Sequence, residues 1–119
     1  MHITIVMSTN QHNRLIETLR LAWEALDADI IEPILAEDLH YYSWWALIEM
    51  NSKQAYLTYL KERFQSYKSS GNKPLVKLGV NKNDGEYAVA IQFGDSVPIL
   101  IRIIEREGKI KEMWMQPAE

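Results

Sequence analysis

The feature that most constrains this chain is a change of hydrophobic period near Gly71. Before it, apolar residues recur at three-and-four spacing; after it, they alternate. Four alternating segments follow, Leu75 to Val80, Tyr87 to Phe93, Val97 to Glu105 and Ile110 to Met115, rich in β-branched and aromatic residues. Asn83-Asp84-Gly85, Gly94-Asp95-Ser96 and Glu107-Gly108 separate them and accept the positive φ of tight hairpins. Helices followed by a meander predict an α+β fold.

The helical half holds three candidate segments. Asn10 to Leu26 carries an apolar stripe of Leu15, Leu19, Ala22 and Leu26, widened by Ile16 and Trp23, and Ser8 with Gln11 forms a candidate capping box. Asp27-Ala28-Asp29 supplies an acidic cap for a shorter helix through Ile30, Ile31, Ile34 and Leu35, whose upstream reach Pro33 limits. The third helix is capped by Asn51 or Ser52, runs to about Ser70 with Tyr56, Leu60, Phe64 and Tyr67 on one face, and stops at Gly71.

Between the second and third helices lies the run from Leu39 to Leu47, His40-Tyr41-Tyr42-Ser43-Trp44-Trp45 at its centre. As a strand it sends Tyr41, Ser43 and Trp45 to one face and His40, Tyr42 and Trp44 to the other. Rings with polar tips suit the wall of a ligand pocket, because they pack and also hydrogen-bond.

Composition narrows the function classes. Thirteen Lys and Arg against sixteen Asp and Glu leave a net charge of -3, which argues against a nucleic-acid partner. No apolar run spans a membrane and the N-terminus lacks a signal-peptide pattern, so a cytoplasmic protein without a membrane partner is expected. The absence of cysteine excludes disulfides and thiol nucleophiles, and three scattered histidines predict neither metal nor cofactor. No phosphate loop, nucleophile elbow or metal-binding helix motif occurs, and Lys61-Glu62-Arg63 reads as solvated charge.

The segments Trp23-Glu24-Ala25-Leu26-Asp27-Ala28-Asp29, Ile34-Leu35-Ala36-Glu37-Asp38-Leu39-His40-Tyr41, Ser52-Lys53-Gln54-Ala55-Tyr56-Leu57-Thr58-Tyr59-Leu60 and Glu107-Gly108-Lys109-Ile110 resemble, in order and spacing, the NTF2-like or SnoaL-like superfamily. The resemblance covers most of the chain. It implies one domain over residues 1–119, an NTF2-like (cystatin-like) cone of three N-terminal helices on a curved antiparallel sheet around a conical pocket. It implies no particular chemistry, since superfamily members range from isomerases and cyclases to transport factors. A limonene-epoxide-hydrolase-like site needs a tyrosine and an amide on the first strand, an arginine and aspartate on a central strand and an aspartate on the last. Tyr41 matches, Ser43 replaces the amide, and Ala90, Gln92 and Met115 stand at the other positions, so paired-acid hydrolysis is not expected.

The expected ligand site comprises Trp23, Tyr41, Ser43, Trp45, Gln92, Met113 and Met115, with Tyr41 and His40 as candidates for proton transfer and Glu37 or Asp38 as aids to His40. The expected ligand is small and apolar. Each reading has a structural rival: Tyr41 satisfied by a backbone carbonyl, Trp23 and Trp45 as plain core, and the third helix packed onto Ala88 and Ala90. The alternative function is a non-catalytic interaction module with a filled pocket. Because Ile99, Ile101 and Ile103 oppose Leu100 and Ile104, both sheet faces read as apolar, which predicts a homodimer joined sheet to sheet with Ile101 and Trp114 in the contact.

Overall fold

In the computed structural model, which describes residues 2–44, 46–80 and 85–118, helix α1 (His2–Ala25) leads into two single-turn 3-10 helices, Ala28–Ile30 and Glu32–Ile34. Strands β1 (Leu35–Ser43) and β2 (Ile48–Met50) come next, then helix α2 (Lys53–Ser70). Strands β3 (Leu75–Val80), β4 (Tyr87–Gln92), β5 (Ile99–Arg106) and β6 (Lys109–Pro117) complete one six-stranded sheet in the order β2-β1-β6-β5-β4-β3.

The predicted α+β class holds, while the helices differ from the expected three. The backbone is helical from His2, so Ser8 and Gln11 are interior positions of α1 and not its cap. The second helix is replaced by the two 3-10 turns. Asp27 caps the first, its carboxylate accepting from the Asp29 N–H at 3.0 Å, and Pro33 in the second removes a donor and restricts Glu32 before it. Ile34 ends that turn, and Leu35 already belongs to β1.

Helix α2 follows its sequence signals. The Ser52 hydroxyl accepts from the Ala55 N–H at 3.1 Å, and Gly71 closes the helix at φ 71° with its N–H directed to Lys68. Tyr56, Leu57, Leu60, Phe64 and Tyr67 are its buried face.

The sheet departs from the expected all-antiparallel form at one pair: β1 runs parallel to β6, with Tyr41 beside Met113 and Ser43 beside Met115. The helical connection through α2 and the meander carries the chain back in the same direction. The β5–β6 hairpin turns on Glu107 and Gly108, at φ 55° and 79°, the paired positive values of a tight two-residue turn. Asn83 and Asp84 of the β3–β4 turn lie outside the described residues.

Register decides which residues face the helices. Val89 pairs with Ile101, Ile101 with Met115 and Met115 with Ser43, placing all four on the inner face together with Tyr41, Ile91, Ile103 and Met113. The described residues of this set are buried and form the core with Leu15, Leu19, Trp23 and the α2 face. Ile101 is fully buried there, which corrects its expected place in a subunit contact. Ala90, Leu100, Arg102, Ile104 and Trp114 point to the outer face, where Ile104 remains 44% exposed. The outer face is therefore partly apolar, as the alternation predicts. No helix among the described residues is long and apolar enough to cross a membrane.

Candidate functional site

Alternation along β1 brings Tyr41 and Ser43 inward against α2, and packing of α2 across β1 sets their surroundings. The Tyr41 ring lies 4.7 Å from that of Tyr56 and 6.1 Å from that of Tyr59. Its hydroxyl donates to Met115 Sδ at 2.8 Å. Burial, then the neighbouring Tyr59 hydroxyl, raises the Tyr41 phenol well above its ordinary range, so at neutral pH it is a donor and not a base.

One turn further along α2, Tyr59, Arg63 and Tyr67 form a stripe at the margin of the buried face. Arg63 lies 5.2 Å from the Tyr67 ring centroid, and its Nη2 donates to the Tyr67 hydroxyl at 3.3 Å. Hydrogen bonding to Tyr67 raises the guanidinium further above its ordinary range, against a smaller opposing effect of desolvation. Its charge also acts on Tyr41 and Tyr59. Tyr67 in turn contacts Phe93 at 4.9 Å, and Trp23 meets Phe64 edge-on at the same separation. The result is a rim of phenols and one cation over an apolar floor.

The expected site residues divide. Trp23, Tyr41, Ser43, Met113 and Met115 come together on the helix-facing side of the sheet, all buried. Ser43 Oγ accepts from the Ala46 N–H at 3.0 Å and so fastens the turn between β1 and β2. Gln92 does not join them: it pairs with Leu75 on the opposite face, and its amide donates to the Ser96 carbonyl at 2.8 Å. Ala90 shares that outer parity, so the hollow is bounded instead by Val89 and Ile91. Trp45 lies outside the described residues.

His40 is on the outer face, opposite Tyr41. Its Nε2 lies 2.6 Å from Glu49 Oε2 on β2. Asp38 and Glu37 are engaged elsewhere, with Lys111 at 2.7 Å and Lys53 at 3.4 Å, so neither assists His40. Tyrosine and tryptophan aside, Ser43 is the only buried polar side chain among the described residues, and no carboxylate among them stands beside Tyr41 to activate a water. No three His, Asp or Glu side chains among the described residues converge as a metal would require.

Sequence reasoning missed Tyr59 and Arg63. Arg63 sat in an apparently solvated charge cluster, yet Tyr59, Arg63 and Tyr67 recur at four-residue intervals beside the buried stripe, and that spacing places them on one helix face. Two clefts lie elsewhere, neither lined by Tyr41, Tyr59, Arg63 or Tyr67. One of about 350 Å³ runs between Asp27–Asp29 and Lys61–Lys68, and one of about 280 Å³ on the outer face is bounded by Trp44, Arg102 and Trp114.

No family model matches the sequence, and no curated protein matches it. Solved structures do. The extracytoplasmic function sigma factor SigJ of Mycobacterium tuberculosis is 18% identical with a TM-score of 0.66, over 90% of this chain and 42% of that one. An epoxide hydrolase of the LEH-like type from the same organism is 18% identical with a TM-score of 0.63, over 92% of this chain and 84% of that one. An NTF2-like protein of unknown function from Cytophaga hutchinsonii is 13% identical with a TM-score of 0.65, over 90% and 89% of the two chains. At such identities the likeness establishes architecture and no chemistry. Two helices over a curved six-stranded sheet, with a β1–β6 parallel pair and matching solved neighbours, give this chain the NTF2-like fold.

Proposed function

We infer that the protein binds a small, mainly apolar molecule at the rim between α2 and the inner sheet face. The observation that carries this reading is the Tyr41 hydroxyl, a buried donor whose partner is the weak thioether acceptor of Met115. A ligand oxygen would be a better acceptor. Tyr59, partly exposed, offers aromatic surface beside it, and Phe93 extends that surface beyond Tyr67. The fold neighbour named as an epoxide hydrolase supports a small-molecule role at the level of the fold only.

The outer sheet face is the proposed homodimer contact. Ile104, Leu100, Trp114 and the 60% exposed Trp44 supply apolar surface, and a two-fold axis would set that patch against itself. A second reading, a non-catalytic interaction module, is favoured by the filling of the deep core with Tyr41, Tyr56 and Phe64.

Native mass spectrometry of freshly purified protein, followed by denaturing analysis of what it retains, tests the reading. A dimer carrying a stoichiometric small molecule is expected. A monomer that retains nothing and binds none of the aromatic probes named below contradicts both parts.

A further inference from the structure

Three groups on or under the rim are donors with weak or few acceptors. Trp23 packs edge-on against Phe64 and tilted beside Tyr67, and its indole N–H is buried with no acceptor among the described residues. Tyr41 gives its hydrogen to a sulfur. Arg63 presents a planar fork of N–H groups and a permanent charge, of which the described chain engages only the Tyr67 hydroxyl and ring.

Three other partly buried basic side chains each hold a carboxylate. Arg20 holds Glu17 and Glu24, Lys53 holds Glu37, and Lys111 holds Asp38. Arg63 is also partly buried, yet no Asp or Glu among the described residues pairs with it. A partly buried guanidinium with no carboxylate beside it keeps N–H donors open to an anion that arrives from outside. The single planar guanidinium, flanked by phenols and not by further cations, matches a monoanionic carboxylate better than a phosphate dianion.

We propose that the ligand is an apolar, flat organic acid whose carboxylate is held by Arg63 with the hydroxyls of Tyr59 and Tyr67, and whose body lies toward Phe93 and Tyr41. This rests on the ligand-binding reading above and specifies its substrate class. Arg63 is then the specificity-determining residue.

The test titrates wild-type protein, Arg63→Gln and Arg63→Lys with benzoic, 2-naphthoic and biphenyl-4-carboxylic acids, and with the primary amide of each, by isothermal calorimetry. Wild-type protein should bind at least one acid about ten-fold or more tightly than its amide, as a charge-assisted contact implies. Arg63→Gln should abolish that preference while leaving amide affinity within about two-fold, and Arg63→Lys should restore part of it. Equal binding of acid and amide to wild-type protein would overturn the anion assignment and leave the pocket reading intact. Retention of the acid preference by Arg63→Gln, in protein whose circular dichroism melt is cooperative, would overturn the role of Arg63. Binding of neither acid nor amide in any pair would overturn the pocket reading and this proposal together.

Discussion

Tyr41 on β1 donates its phenolic hydrogen to Met115 Sδ on β6 at 2.8 Å, a bond between adjacent parallel strands at the centre of the buried face. Removing the hydroxyl leaves a weak thioether acceptor unpaired, while the neighbouring Ser43 Oγ keeps its bond from the Ala46 N–H. Tyr41→Phe should therefore cost less than about 1 kcal/mol in urea unfolding while weakening binding of a ligand that accepts from this hydroxyl. A large stability loss with unchanged binding would assign Tyr41 to packing alone.

Alkaline stability follows from the same residue and its neighbour. Burial is the largest cause raising both the Tyr41 and Tyr56 phenols. A raised folded pKa adds stability that is complete below the unfolded value of about 10 and is lost as pH rises beyond it, because the unfolded chain then releases protons that the folded one keeps. Denaturant midpoints should fall above about pH 10, and Tyr56→Phe should make that fall shallower. Spectrophotometric titration in which all tyrosines ionise before unfolding would contradict the burial of these phenols.

The two sheet faces should respond oppositely to charge. Ile101 is fully buried against the helices, so Ile101→Glu should cost about 4 kcal/mol or more and unfold the protein, whatever its oligomeric state. Ile104 on the outer face is 44% exposed, and Ile104→Glu should leave the fold intact and convert dimer to monomer in analytical ultracentrifugation. An unaltered mass for Ile104→Glu would remove this face from the proposed contact.

Helix α2 carries the rim, so its ends matter to the site. Ser52→Ala removes the cap hydroxyl from the Ala55 N–H and should cost about 1 kcal/mol. Gly71 has open space around an added Cβ, and the cost of Gly71→Ala, also about 1 kcal/mol, would come from its φ of 71°. Thermal melts of both variants check these values.

Much of the architecture was legible because period and punctuation agree. Helix α2 was readable from Ser52 to Gly71, and the four later strands from their alternation and turn residues. The N-terminal extent of α1 was not, since Ser8 and Gln11 carry a cap pattern inside a continuous helix. The parallel β1–β6 pair was also hidden, because local pattern fixes a strand's faces but not its long-range neighbour. The same limit explains the site. Parity placed Tyr41 and Ser43 together and His40 opposite, whereas Gln92 needed inter-strand register to be sent to the other face. Arg63 was missed because a charge within Lys61-Glu62-Arg63 looks solvated until α2 is seen lying across β1.

The most direct measurement is a titration of isotope-labelled protein with 2-naphthoic acid, following backbone amides and the Arg63 Nε–H by nuclear magnetic resonance. Saturable shifts at Tyr59, Arg63 and Tyr67, with matching shifts at Tyr41 and Phe93, are the expected result. Saturable shifts confined to Trp44, Arg102 and Trp114 on the outer face would contradict the account, as would the absence of any saturable shift.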